Sequence, residues 1–350
     1  MSKDNHGVID QTSGDTWQMF NGDSCEVLKS LPENSIDFGI HSPPFSNLYI
    51  YSDSEADLGN STNDAEFIAH YEFIINELYR TTVPGRICAV HCKDLPRYAN
   101  RDGTTGLKDF PGDIIRAFER HQWSFHSRVT IWKCPVVERE RTNNNGLLHK
   151  TVKRDRSQLR QGMADYLLMF RKPPEGSLMS DKPVTSTPRQ RVGDDGQTEY
   201  LPTGFTDFCG DIDPRLTDDH PSPYARKRSG GDSPDTPSIN IWRRYAEPVW
   251  WDISQTDVLN NWKHAGNEKD ERHICPLQLG LIERAVDIWS NQGDVVLSPF
   301  AGIGSEGVGA IRRGRKFVGI ELKPEYYVMG CRNLRTAESR STQRQTPLFA

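Results

Sequence analysis

Two short segments carry residue types that could do chemistry. The first is His41-Ser42-Pro43-Pro44-Phe45, directly after the apolar run Ile36–Ile40. Successive prolines fix φ and remove two backbone donors, leaving a stiff loop whose carbonyls are free to accept hydrogen bonds. Ser42 adds a hydroxyl acceptor and Phe45 a flat apolar face. Acceptors beside an aromatic plate suit a planar ring that bears an NH2 group. Taken alone, the same residues are equally a Pro-Pro turn with a core phenylalanine. The second segment is Pro299-Phe300-Ala301-Gly302-Ile303-Gly304-Ser305-Glu306-Gly307, whose glycines fit G-x-G-x-x-G, with Glu321 at the tip of the next apolar run. Such a loop brings backbone close to a nucleotide-like ligand, and an acidic residue beyond it takes ribose hydroxyls. By itself the pattern is shared with nicotinamide-dependent oxidoreductases and with glycine turns that bind nothing.

The elements around these loops set their meaning. Short apolar runs at Trp17–Phe20, Ile36–Ile40, Arg86–His91, Arg128–Trp132, Asp165–Arg171, Val295–Leu297 and Phe317–Ile320 read as strands. Between them, Phe67, Ile68, Tyr71, Ile74, Ile75 and Leu78 form one helical stripe from about Asp64 to Tyr79, which Pro84-Gly85 is expected to stop. Pro111 opens a second helix, and Leu277 to Trp289 gives a third stripe. Strands separated by helices imply an α/β fold with parallel pairing. Only 46 residues follow Gly304, too few for a complete nucleotide-binding sheet. The other strands must therefore come from the N-terminal half, so the sheet is circularly permuted relative to an ordinary Rossmann domain, and this order opposes the oxidoreductase.

Ser42-Pro43-Pro44-Phe45 together with the late Pro299-Phe300-Ala301-Gly302-Ile303-Gly304 resembles the permuted β class of DNA amino-methyltransferases, which act on N4 of cytosine or N6 of adenine. Asn21-Gly22-Asp23, Leu31 to Asp37, His273-Ile274-Cys275-Pro276-Leu277, Gly293 to Leu297 and Gly314 to Glu321 with Tyr326-Tyr327 are similar to further segments of that family. The resemblance covers most of residues 17–172 and 245–335. It implies a Rossmann-like seven-stranded sheet and S-adenosyl-L-methionine as cofactor. It also implies a catalytic loop of Ser42, Pro43, Pro44 and Phe45, with Phe45 stacking on a base flipped out of DNA. Phe300, Gly302, Gly304 and Ser305 would hold the methionine and sugar end, Glu321 the ribose hydroxyls and Asp23 the adenine side. His273, Pro276 and Ser298 complete the implied cofactor set. Where the family usually has Asp before the Pro-Phe, this chain has Ser298, which brings no charge to the methionine ammonium. Ser-Pro-Pro-aromatic leans toward cytosine, with adenine close behind.

The chain then divides into a catalytic half (1–172), a Pro-rich recognition insertion (173–269), a cofactor-binding half (270–336) and a flexible tail (337–350). The insertion holds 11 of the 22 prolines but also four of the eight tryptophans, which argues for a loop-rich domain over plain disorder. With 43 basic and 48 acidic residues the formal charge is −5, so any affinity for nucleic acid needs a local basic patch. Residues 136–162 supply one as a mobile loop: Arg139, Arg141, Lys150, Lys153, Arg154, Arg156 and Arg160 oppose only Glu138, Glu140 and Asp155. A second cluster, Arg226-Lys227-Arg228 with Arg243-Arg244, lies in the insertion. Double-stranded DNA is the expected partner, homo-oligomerisation is left open, and no membrane contact is expected. Seven scattered cysteines without a C-x-x-C read as reduced cytoplasmic thiols, and no metal site is expected. A methyltransferase-like DNA-binding protein without turnover is the alternative that Ser298 leaves open.

Overall fold

The computed structural model describes residues 7–44, 64–142, 149–158, 160–176, 178–180, 182–184, 190–192, 198–200, 245–259 and 276–345. Its strands are β1 (Val8–Ser13), β2 (Trp17–Gly22), β3 (Ile36–His41), β4 (Thr82–Cys92), β5 (Leu95–Arg97), β6 (Gly106–Lys108), β7 (Ser124–Ile131), β8 (Asp165–Arg171), β9 (Gln190–Val192), β10 (Thr198–Tyr200), β11 (Val249–Trp250), β12 (Val295–Ser298) and β13 (Lys316–Glu321). Its helices are α1 (Ser24–Val27), α2 (Asp64–Thr81), α3 (Ala99–Asp102), α4 (Phe110–Arg120), α5 (Pro135–Thr142), α6 (His149–Arg154), α7 (Leu279–Trp289), α8 (Ser305–Arg312) and α9 (Pro324–Gln345). The seven expected strands lie in the order β2-β13-β12-β3-β4-β8-β7, and β1 and β11 extend the two edges to nine. From β2 to β4 neighbours are parallel, and β8 runs against both β4 and β7.

Burial on both faces explains why β3 and β4 are near-continuous apolar runs. One face is covered by α7, α8 and α9, through Leu281, Ile282, Val308, Ile311 and Leu334. The other carries α2 and α4, through Phe67, Tyr71, Ile74, Ile114 and Phe118. At the amino ends of the strands, fully buried Arg86 donates to the Asp37 carbonyl (2.8 Å) and pairs with Asp294 (2.5 Å), locking β4 to β3 and β12. The chain leaves β12 for β13 on one side, while β3 leads to β4 on the other. Their carboxyl ends therefore frame the crevice of a topological switch point.

Four expectations need correction. Pro84-Gly85 does not stop α2, which already ends at Thr81; the pair lies inside β4, where Gly85 takes φ +81° near an irregularity in the β3–β4 register. The basic segment is not one open loop, because Pro135 starts α5 and a second short helix, α6, follows. The tail does not fray at Ala337: α9 continues to Gln345, held where Glu338 accepts from Thr16 N (2.7 Å) and Trp17 Nε1 (3.2 Å). Finally, the proposed insertion is not irregular throughout, because β11 inside it pairs with β7.

Candidate active site

The Ser42 loop leaves the carboxyl end of β3, and Ser42 Oγ meets the end of the neighbouring strand β4. It lies 3.3 Å from His91 Nδ1 and 3.2 Å from the His91 carbonyl. His91 Nε2 is 3.1 Å from Asp165 Oδ2 on β8, and Lys133 Nζ is 2.8 Å from the same oxygen. Burial alone would push the Asp165 carboxyl up. The hydrogen bond and charge of His91, with the charges of Lys133 and Lys93, instead hold it well below the usual carboxylate range. An ionised carboxylate only accepts, so His91 Nε2 donates to Asp165, and Nδ1 faces Ser42. Behind Ser42, His41 is fully buried with Nε2 2.6 Å from Tyr71 Oη, and burial pushes its pKa down to about 3, which keeps it neutral. Phe45 lies outside the described residues.

One strand over, β12 delivers the glycine loop. Gly302 and Gly304 take φ of +52° and +84°, the left-handed region open to glycine, and Gly304 caps α8. Glu321, at the end of β13, accepts from Gly302 N (2.8 Å) and Lys323 N (2.9 Å). Ser24 Oγ donates to the Pro299 carbonyl (2.5 Å), and Asn333 Nδ2 donates to the Ile303 carbonyl (2.8 Å), so α1 and α9 both brace the loop. Asp23 caps α1 by accepting from Cys25 N (2.9 Å), placing it beside the β13 end. The Phe300 ring packs on His41 and Tyr71 at centroid distances of 5.7 and 6.1 Å, bridging the two loops. Among the described residues, Ser298 Oγ and Ser305 Oγ are buried without a hydrogen-bond partner, as expected of a cradle that holds a polar ligand. Pro276 lies just before α7, and His273 falls outside the described residues.

The family model described as DNA methylase matches residues 36–330, from β3 through the cofactor loop into α9. The chain belongs to the N6/N4 DNA methylase family. Among curated relatives, DNA adenine methyltransferase YhdJ of Escherichia coli (strain K12) is 44% identical over 73 residues, which are 21% of this chain and 25% of that relative's length. The PvuII DNA methyltransferase (cytosine-N4-specific) shares the fold at TM-score 0.54 and 16% identity, covering 95% of this chain and 94% of its own. TTHA0409 of Thermus thermophilus, complexed with S-adenosyl-L-methionine, shares it at TM-score 0.52 and 21% identity, over 91% and 94% of the two chains.

In this methylase the basic residues divide. Arg139, Lys153, Arg154 and Arg156 are exposed. Arg160 is half-buried and donates to the Gly106 carbonyl (3.2 Å), bracing the hairpin of β5 and β6. Arg141 and Lys150 sit in α5 and α6, and the Arg226 and Arg243 clusters lie outside the described residues. Sequence reasoning missed the His91–Asp165–Lys133 chain. In the sequence His91 is an ordinary strand residue, and its side-chain partners Asp165 and Ser42 lie 74 and 49 positions away. Among the described residues no group of side chains could hold a metal ion, and no helix is long and apolar enough to cross a membrane.

Proposed function

We propose that this methylase transfers a methyl group from S-adenosylmethionine to the exocyclic amine of a base flipped out of double-stranded DNA, with N4 of cytosine favoured over N6 of adenine. The observation that carries the reading is the placement of the Ser42 loop and the glycine loop on adjacent parallel strands at one switch point. S-adenosylmethionine, when bound there, supplies an electrophilic methyl group. The rest is done by the chain. An exocyclic amine is a poor nucleophile because its lone pair is delocalised into the ring. Ser42 Oγ and the Pro43 carbonyl accept the two amino hydrogens, which lets the nitrogen pyramidalise and aim its lone pair along the transfer line. The amine then carries one proton too many. That proton passes to Ser42 Oγ as the Ser42 proton moves to His91 Nδ1, and the Asp165 carboxylate stabilises the imidazolium formed. Phe45 stacks on the flipped base. Exposed Arg139, Lys153, Arg154 and Arg156, with Arg141 and Lys150, take phosphates.

The test is mass spectrometry of nucleosides from plasmid DNA incubated with the protein and a deuterium-labelled methyl donor. Labelled N4-methylcytosine supports the full reading, labelled N6-methyladenine corrects the base, and neither nucleoside overturns it. Ser42→Ala is expected to lower kcat by about 10²-fold with donor binding unchanged; full turnover would remove Ser42 from the mechanism.

A further inference from the structure

Three buried polar atoms belong to residues at the carboxyl end of β12 and at the N-termini of α7 and α8. Among the described residues, Ser298 Oγ, Ser305 Oγ and Gln278 Oε1 have no hydrogen-bond partner, in residues only 0%, 3% and 7% exposed. The helices that carry two of them run side by side in the same direction. A Cβ on Gly309 would lie 2.5 Å from Ile282 Cγ2, and further along Arg313 pairs with Asp287. One turn back from the Ile282–Gly309 contact, Gln278 comes alongside Ser305 at the two N-termini. Glu306, next in the first turn of α8, is 5% exposed. Among the described residues its carboxyl has no cationic partner; it meets its own backbone N–H and the charge of Glu321.

The chemistry of this set is one-sided. An amide oxygen and a carboxylate accept only, and a serine hydroxyl accepts as readily as it donates. Such a pocket asks for a ligand end with several N–H donors and a positive charge. The ribose hydroxyls of the donor are provided for by Glu321, and its adenine lies toward Asp23. The α-ammonium of the methionine end has three N–H groups and a full charge, and Ser298 offers it no anion. We propose that Glu306 binds this α-ammonium, with Gln278 Oε1 and Ser298 Oγ as its neutral acceptors. The inference rests on the cofactor reading above and adds a residue outside the set that the motifs single out. Burial pushes the free Glu306 carboxyl up to about 8, and a cation arriving beside it would draw it back to the ionised form.

Calorimetric titration with two probes separates the possibilities. S-adenosylhomocysteine has the ammonium; 5′-deoxy-5′-methylthioadenosine lacks the whole amino-acid end. Glu306→Gln is expected to weaken S-adenosylhomocysteine about ten- to hundredfold while leaving methylthioadenosine unchanged, as loss of one charge-assisted contact requires. Adding Ser298→Asp to that variant is expected to restore much of the lost affinity. Unchanged S-adenosylhomocysteine binding, or an equal loss for both probes, overturns the assignment. Wild-type protein that binds neither probe overturns the cofactor reading instead. Should Glu306→Gln fail to fold, Glu306→Asp serves, with the same selective loss expected and the same uniform result refuting.

Discussion

Replacing Glu306 by glutamine should also change how the ligand-free protein responds to pH. The Glu306 carboxyl is raised from an ordinary 4.5 to about 8 by burial, with the Glu321 charge adding to the rise. Between those values the folded chain keeps a proton that the unfolded chain has released. Its contribution to stability is therefore complete below the unfolded pKa and is lost as pH rises toward the folded one. Linkage puts the loss between pH 6 and pH 8 at about 2 kcal/mol. With an unfolding entropy of roughly 2.1 cal/mol/K per residue over 350 residues, this corresponds to about 3 °C in Tm. Glutamine fills the same space and does not titrate. Differential scanning calorimetry of both proteins at the two pH values is the assay, and the wild type should lose about 3 °C relative to the variant on going from pH 6 to pH 8. Asp287, raised to about 6, and His41, lowered to about 3, also titrate on unfolding but cancel in the difference. Parallel Tm profiles for the two proteins would refute the reasoning, since a carboxyl that ionises freely in the folded state cannot be the buried group described.

Two further outcomes follow from the relay and the basic helices. Asp165→Asn keeps an oxygen that can accept from His91 but removes the negative charge, which leaves the buried Lys133 ammonium without its anion. Stability should fall by about 3 kcal/mol and turnover by about 10²-fold, and adding Lys133→Met should recover the stability measured by denaturant titration but not the turnover. Replacing Lys153, Arg154 and Arg156 together by glutamine should flatten the slope of log K against log[salt] for DNA binding by about 2 to 3, equally for all sequences. An unchanged slope would take these side chains off the phosphate surface.

The two loops to which the proposed function assigns the chemistry were legible as loops because each is a contiguous run of residues with unusual backbone demands. Proline at 43 and 44 fixes φ, glycine at 302 and 304 permits the positive φ of its turn, and both loops occupy the ends of strands where the pattern of apolar runs placed them. The permuted order was legible from the order of the loops, with Ser42-Pro43-Pro44-Phe45 ahead of the glycine loop. Properties that depend on distant partners were not. His91 becomes part of the site through Asp165, on a strand that reaches it only by antiparallel pairing. The polar end of α9 stays helical because Glu338 finds Thr16 and Trp17 at the other end of the chain. Pro84 sits in a strand, against its ordinary preference, where the β3–β4 register is already broken by an irregularity.

The position of β13 has a consequence for how the chain is made. β2 finds its parallel neighbour only in β13, and Asn21 Nδ2 donates to the Glu321 carbonyl across 300 residues of sequence. β12 must likewise arrive before β3 is covered on that side. At roughly 5–20 residues per second, a ribosome needs about 15–60 s to pass from β2 to its partner β13. Throughout that interval the N-terminal half exposes the edge of an apolar parallel strand, a template for pairing with the wrong chain. Permutation thus gives this methylase a high contact order at its centre, and correct assembly depends on keeping β3 from aggregating until the last quarter of the chain is translated.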